Sequence, residues 1–280
     1  MLKIRTNLLL AVLLLSTGVS AVQQTVVVTG ATGGTGQLVY KLFKSTTWTV
    51  RGLVRNATKA KDVLDCGECT EKEGIFVGDI TKPETLAPVM RGATVLVIAT
   101  SSMPKCSGGV ETCHYAKGQY PVDVDYHGGI RQLTAFANAT KGIGHAILIS
   151  SRGTTEPDSF LDKMGNGYAL FYKLNLEAWL YSSGLSSTII KPCGLDDSEP
   201  RAKKLLLGHD DEPLGKSNQM SRGDVARLII AAALNRNVTS GQRIDVCSDA
   251  GAAQSDKELA PLLVSNLWPW QQQQSASVWI

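Results

Sequence analysis

Residues 30–36 read Gly30-Ala31-Thr32-Gly33-Gly34-Thr35-Gly36, directly after the apolar run Val26-Val27-Val28-Thr29 and directly before Gln37-Leu38-Val39-Tyr40-Lys41-Leu42-Phe43. A buried strand, a glycine turn and a helix in that order can hold a diphosphate. Glycine allows positive φ in the turn, close approach of an anion to the backbone, and tight packing of the helix on its strand. The free amides and the positive end of the helix dipole then face the anion. The pattern makes Gly30, Thr32, Gly33, Gly34 and Gly36 candidate contacts to the pyrophosphate of a dinucleotide.

The end of the next strand selects the dinucleotide. An acidic side chain there would bond the ribose hydroxyls of NAD, whereas a basic one accepts the 2′-phosphate of NADP. Here that segment ends Leu53-Val54-Arg55, and no Asp or Glu occurs between Gly36 and Asp62, while Arg51, Arg55, Lys59 and Lys61 do. A guanidinium meets a phosphate through two parallel hydrogen bonds. Arg55 is therefore the first choice for the 2′-phosphate, and the expected cofactor is NADP rather than NAD. Asn56-Ala-Thr58 is a glycosylation sequon beside it. A glycan on Asn56 would crowd the adenosine pocket, so the NADP reading requires Asn56 to be unmodified.

The elements that must position these residues are a parallel sheet and its crossover helices. Apolar, β-branched runs are expected as strands at Thr25–Thr29, Thr49–Val54, Ile75–Val77, Thr94–Ala99, Ala146–Ser150, Ser187–Lys191 and Arg243–Cys247. Helices are expected at Gly34–Lys44, Pro83–Met90, Pro121–Thr140, Ala169–Ser183 and Arg222–Asn235, with Thr81 and Ser221 as capping residues. Strands alternating with helices predict one α/β domain over 24–265, a doubly wound, mostly parallel sheet. The glutamine-rich end, 266–280, is expected as a disordered tail.

The glycine spacing resembles that of the extended and atypical short-chain dehydrogenase/reductases, and the likeness continues along the chain. Gly78-Asp79-Ile80-Thr81 follows the third strand, Ala99-Thr100-Ser101 the fourth, and Gly118-Gln119-Tyr120-Pro121 opens the next helix. Ser150-Ser151 closes the fifth strand, Lys173 lies in the following helix, and Lys191-Pro192-Cys193-Gly194-Leu195 ends the sixth. From Thr25 to about Leu263 the chain is similar to the NmrA-like NAD(P)-binding reductases, especially a plant branch. The resemblance implies a Rossmann fold, Asp79 and Ile80 beside the adenine, and Ala99, Thr100, Pro192 and Gly194 along the cofactor. It implies Lys173 at the nicotinamide ribose, and Ser150 or Ser151 orienting a substrate carbonyl.

One expected group is missing. Reductases of this superfamily usually protonate substrate with a tyrosine four residues before the lysine, on the same helical face. Four residues before Lys173 stands Ala169, flanked by Tyr168 and Tyr172. In an unbroken helix at about 100° per residue, those two lie roughly 140° and 100° around from Lys173. Remaining donors are Ser150, Ser151, Tyr126 and, among the histidines, His114 and His127; His145 and His209 read as surface residues.

Composition is ordinary for a globular chain, 43% hydrophobic and 19% charged, with a formal charge of +3. Lys3 and Arg5 supply two of those charges, leaving no electrostatic case for nucleic acid. Residues 1–21 have a basic start, an apolar run and small residues ending at Ala21, the pattern of a signal peptide. Its removal would leave no membrane segment, and the expected destination is the secretory pathway, or else an organelle reached through a signal-type leader. In an oxidising lumen Cys66 with Cys69, and Cys106 with Cys113, would close small loops, while Cys193 reads as a small pocket-lining residue. No metal cluster or Ser-His-acid triad is legible.

The leading expectation is an NADPH-dependent reductase passing hydride to a small organic acceptor of quinone, flavin or enone type. The alternative is a non-catalytic NADP-binding regulator or redox sensor, favoured by the missing tyrosine. An isomerase or epimerase holding NAD tightly is a weaker third.

Overall fold

The computed structural model describes residues 23–156 and 159–268. The expected leader and the stretch beyond Trp268 lie outside those residues. Strand β1 (Thr25–Thr29) passes through the glycine turn into α1 (Gly34–Lys44). The alternation continues with β2 (Thr49–Val54), α2 (Ala57–Leu64), β3 (Ile75–Val77), α3 (Ala87–Met90), β4 (Val95–Ile98), α4 (Gly128–Thr140) and β5 (His145–Ile149). A short α5 (Phe160–Lys163) precedes α6 (Ala169–Ser182) and β6 (Ser186–Pro192). The chain then forms β7 (Gly194–Asp196), β8 (Lys204–Gly208), β9 (Gln219–Ser221), α7 (Arg222–Leu234), α8 (Arg236–Thr239), β10 (Gln242–Asp249) and α9 (Asp256–Ser265).

Eight strands make one sheet in the order β3-β2-β1-β4-β5-β6-β10-β8, parallel throughout except where β8 runs against β10. Helices cover both faces, so the central strands are apolar on both sides: every residue of β1, β4 and β5 is buried. On one face α1 contributes Val39 and Phe43, α7 Val225 and Ile229, and α9 Leu259 and Leu263. On the other, Met90 of α3, Leu133 and Phe136 of α4, and Leu176 and Leu180 of α6 form a second core. Phe43 and Phe136 are fully enclosed, one in each core. Truncating either to alanine costs roughly 3–5 kcal/mol. The strand order reverses between β1 and β4, which opens a crevice at their carboxyl ends.

Several local expectations are corrected. The segment expected as one helix over Pro83–Met90 splits into a 3₁₀ turn, Pro83–Thr85, and α3. Pro88 has no N–H to donate back to the Glu84 carbonyl, which removes a helical bond where the two pieces meet. Thr81 caps nothing there; its N–H and hydroxyl both donate to Asp79 Oδ1, at 2.9 and 2.8 Å. Pro121–Thr140 begins as a π-helical stretch, Val122–His127, before α4. His145 opens β5 and is buried, bonded at Nδ1 to Ser186 Oγ (2.7 Å) and at Nε2 to Thr188 Oγ1 (3.0 Å), rather than lying on the surface. Asn266–Trp268 belong to the domain: Leu267 is buried and the Trp268 ring stacks on His209. Cys66 pairs with Cys69 and Cys106 with Cys113, but Cys193 is joined to Cys247 and is not a free pocket residue. Among the described residues no helix is long and apolar enough to cross a membrane.

Candidate functional site

The glycine turn closes through Gly33 N–H donating to the Gly30 carbonyl at 2.8 Å, and Gln37 N–H to the Gly33 carbonyl at 3.0 Å. Gly30 has φ +68°, and a Cβ there would stand 2.7 Å from the Ala99 carbonyl oxygen. A Cβ on Gly36 would run into the Gly30 carbonyl. Gly33 caps α1 in an extended conformation without a side-chain bond, and the first turn of α1 holds no acidic side chain. The start of the helix therefore presents amides without a competing carboxylate, and the missing side chains let the turn pack closely on the loop after β4 and on α1. That arrangement fits a diphosphate.

Beside the cradle runs a groove of about 160 Å³, lined by Gly30, Thr32, Gly33, Leu53, Val54, Arg55, Lys59, Gly78, Asp79, Ile80, Thr81, Ala99, Thr100, Ser101, Gln119 and Val124. The turns after β1, β2, β3 and β4 thus converge on it, together with the approach to the π-helical stretch. Arg55 and Lys59 are its basic residues. Arg55 Nη1 donates to Gln119 Oε1 at 2.7 Å, which aims the guanidinium across the groove. Arg51 points elsewhere, donating to the Val89 and Arg91 carbonyls, and Lys61 pairs with Glu68. Asn56 Oδ1 accepts from Lys59 N–H at 3.1 Å and so caps α2. At Asp79 burial pushes the carboxyl up, but the Thr81 hydrogen bonds and the charges of Arg55 and Lys82 outweigh it, leaving Asp79 below the ordinary carboxylate range.

Deeper in the crevice, Lys173 Nζ lies 2.8 Å from Asp125 Oδ1, with both groups largely enclosed. Asp125 also accepts from Ser101 Oγ at 2.9 Å and Ser102 N–H at 3.0 Å. One carboxylate on the π-helical stretch therefore ties the loop after β4 to α6. Ser150 is buried and donates its hydroxyl to Glu177, whose other oxygen takes Arg243 Nε at 2.7 Å. Ser151 donates to the Arg152 carbonyl at 2.9 Å. Pro192 ends β6 with its carbonyl accepting from Arg152 N–H, and Gly194 pairs with Gln219 in the β7–β9 ribbon. Neither Pro192 nor Gly194 is among the groove's lining residues.

The helix expected at Ala169–Ser183 is found as α6, Ala169–Ser182, but the angle given to Tyr168 supposes a helix that reaches it. Tyr168 has φ +52° and stands before α6, which begins at Ala169, so its angle around the helix is not fixed by register with Lys173. It is exposed and lines a cavity of about 480 Å³ with Thr154, Thr155, Glu156, Asp162, Phe171 and Leu174, among others. Tyr172 instead packs its ring toward Tyr126 and Phe171. His114 sits in an exposed bridge with Lys105, and His127 packs against Tyr126.

The loop flooring that cavity is organised by a buried charge cluster. Lys191 Nζ is 2.8 Å from Asp211 Oδ1 and 3.0 Å from Asp245 Oδ1, and none of the three is more than marginally exposed. The Asp245 contact is an ion pair without hydrogen-bond alignment. Asp211 also accepts from the N–H groups of Gly153 (2.6 Å) and Thr155 (2.9 Å) and from the Thr155 hydroxyl. Burial pushes Asp211 up, but Lys191 and these donors hold it well below the usual carboxylate range, whereas burial leaves Asp245 raised. Removing one member of a buried ion cluster costs roughly 3–5 kcal/mol by stranding its partner.

Of the residues expected at the site, Gly30, Thr32, Gly33 and Arg55 line one groove, while Asp125, Glu177 and Asp211 were not among those expected. Asp125 and Glu177 occupy helical segments where an acid reads as solvated, and Asp211 lies in a loop with two other acids, Asp210 and Glu212.

A family model described as NAD(P)H-binding matches residues 30–236. Sanguinarine reductase of Eschscholzia californica is 35% identical over 240 residues, spanning 76% of this chain and 85% of that protein. An uncharacterized chloroplastic protein of Arabidopsis thaliana is 36% identical over 218 residues, covering 74% of this chain and 65% of its own length. The chloroplastic protein TIC 62 of Pisum sativum is 25% identical and is spanned over 43% of its length. Among solved structures, a short-chain dehydrogenase/reductase of Veillonella parvula in complex with NADP superimposes with a TM-score of 0.59 at 17% identity, covering 83% of this chain and 97% of that one. An oxidoreductase of Lactococcus lactis gives 0.62 at 19% identity, covering 87% and 98%. Those two likenesses are of fold.

Proposed function

The chain belongs to the NAD(P)H-binding family of Rossmann-fold proteins, and from that premise we propose that it is an NADP(H)-dependent reductase acting on a small organic acceptor of quinone, flavin or enone type. The observation that carries this reading is one groove holding both the side-chain-free cradle after β1 and the basic pair Arg55 and Lys59 after β2. Gly30, Thr32, Gly33, Gly34 and Gly36 would receive the diphosphate, Arg55 the 2′-phosphate, and Asp79 with Ile80 the adenine end. Ala99 and Thr100 would floor the middle of the cofactor. Bound NADPH would supply the hydride.

The chain's own residues would orient the partners. Lys173, fixed by Asp125, would hold the ribose at the nicotinamide end, and the loop carrying Ser150 and Ser151 would border the acceptor. Ser150 acts on that loop's shape through Glu177, so of the two serines Ser151 is the better placed to meet a carbonyl. The cavity beside Tyr168 and Phe171 offers aromatic and acidic walls to a flat acceptor. One relative is by name a reductase of sanguinarine, which supports reduction as the reaction class.

The test is oxidation of NADPH by the purified protein against quinones, flavins and enones, with NADH in parallel. Turnover with any of these acceptors at a preference for NADPH supports the reading. Tight NADPH binding without turnover on the panel supports the second reading, a non-catalytic NADP-binding regulator. That reading draws on Ala169 standing where a proton-donating tyrosine is usual. The chloroplastic relatives favour an organelle over the secretory pathway as destination, and the cysteine pairs favour oxidising surroundings there.

A further inference from the structure

Arg222 reaches the phosphate-binding turn from α7, which packs beside α1 on the same face of the sheet. It is the first residue of α7, whose N-cap Ser221 accepts from Gly223 N–H at 3.1 Å. A Cβ on Gly34 would meet Arg222 Nε at 3.0 Å and Cδ at 3.1 Å. Gly34 has no positive φ, so what its missing side chain provides is room for this arginine against the first residue of α1. The guanidinium is held there by Asp197, Nη1 to Oδ1 at 2.8 Å, and the aspartate side chain is 87% exposed. The Asp197 loop is itself clamped to α7, with Ser221 Oγ donating to the Ser198 carbonyl at 2.6 Å and Arg201 N–H to Asp224 at 3.1 Å.

We propose that Arg222 is a pyrophosphate-binding residue, and that Asp197 holds it beside the cradle until the diphosphate of the dinucleotide takes the guanidinium over. This rests on the dinucleotide binding argued above. The first turn of α1 lacks any acidic side chain, so Arg222 adds a full positive charge where the cradle otherwise offers only amides and the helix dipole. An exposed ion pair in water contributes little, whereas a guanidinium on a phosphate makes charge-assisted, paired hydrogen bonds. The exchange therefore favours the diphosphate, and Asp197 tunes affinity by competing for the same group.

The test is titration of the full chain, wild type and variants, with NADPH and with adenosine 2′-monophosphate, which carries the 2′-phosphate but no diphosphate. Arg222→Gln is expected to weaken NADPH about tenfold while leaving adenosine 2′-monophosphate within about twofold. Asp197→Asn, at an exposed position, is expected to tighten NADPH by about two- to threefold, since the competing pair is weak. A folded Arg222→Gln protein with unchanged NADPH affinity, or with equal loss for both ligands, overturns the proposal. Should Arg222→Gln fail to fold, Asp197→Asn decides: unchanged or weaker NADPH binding overturns it. Wild-type protein that binds neither ligand refutes the dinucleotide reading itself, before any variant is compared.

Discussion

Replacing Arg55 with alanine should cost NADPH about tenfold in affinity and NADH less than about twofold, because only the former carries a group that needs the guanidinium. A hydrogen bond to a charged group contributes about 1.5–3 kcal/mol. Two features of the structure place Arg55 at the lower end. Its guanidinium is exposed, so solvent screens it, and it must give up or share the 2.7 Å bond to Gln119. Asp79, ionised below the usual range, also attracts Arg55 and repels an incoming phosphate. About 1.4 kcal/mol then remains, which is one decade of affinity. Lys59 lines the same groove and keeps the variant from losing all preference. Calorimetry of both nucleotides, repeated at higher salt, measures the effect. The gap between wild type and variant should narrow as the Debye length falls from about 10 Å at 0.1 M toward about 3 Å at 1 M. Equal loss for NADPH and NADH, or wild-type protein that binds the two equally, would refute the reasoning.

Gly33→Val should abolish dinucleotide binding in a protein that still folds: its Cβ meets only the Gly30 carbonyl, at 3.1 Å, while the branched methyls occupy the phosphate space. Retained affinity in the folded variant would contradict the cradle. His145 is held down to about 4, chiefly by burial and then by the charge of Arg236, so it is neutral when folded and charges below pH 6.5 when unfolded. The unfolded chain then binds the extra proton, and stability should fall by up to about 3 kcal/mol as pH drops from 6.5 to about 4. Urea unfolding across that range should show the slope in the wild type and a flatter one in His145→Asn; equal slopes would sink the assignment. If the protein turns over, Tyr172→Phe should change the rate less than about threefold, against the factor of about 10² to 10⁴ expected for a general acid. Tyr168→Phe should behave likewise, and a hundredfold fall with intact NADPH affinity would identify Tyr168 as the donor.

What was legible in the sequence was what the chain builds locally. The bounds Gly34–Lys44 for α1, and those of β1, β2 and β3, coincide with the structure because each run carries its own period and its own glycine or polar stop. Arg55 was legible as a groove residue because its place directly after the second strand sets it beside the turn that follows the first. The groups that shape the deeper site were not. Asp125 with Lys173 is 48 residues apart in sequence, Glu177 with Arg243 is 66, and Asp245 with Asp211 is 34. Each acid meets its partner only after the sheet has assembled. Helix α9 carries a local start signal in the capping box of Ser255 and Glu258, but Pro261 inside the run removes one of its backbone donors and blurs the helical pattern. Strand β8 was missed for the opposite reason: Lys204–Gly208 is a short apolar run among turn residues, and its pairing against β10 depends on a strand 34 or more positions away.

The missing tyrosine becomes intelligible once Asp125 is placed. A lysine that lowers the pKa of a catalytic phenol must keep its positive charge available to that phenol. Here the Lys173 ammonium lies 2.8 Å from a buried carboxylate that also fixes Ser101 and Ser102. Much of its field is therefore cancelled at short range, and no phenol stands at the usual helical position to receive the rest, because Ala169 occupies it. The pair is better suited to holding the loop after β4 against α6 than to moving a proton. Acceptors whose reduction can draw its proton from solvent suit such a site better than unactivated ketones do, which is why quinones, flavins and enones head the proposed substrates. The open cavity bordered by Tyr168 and Phe171 would leave solvent a route to an acceptor bound there.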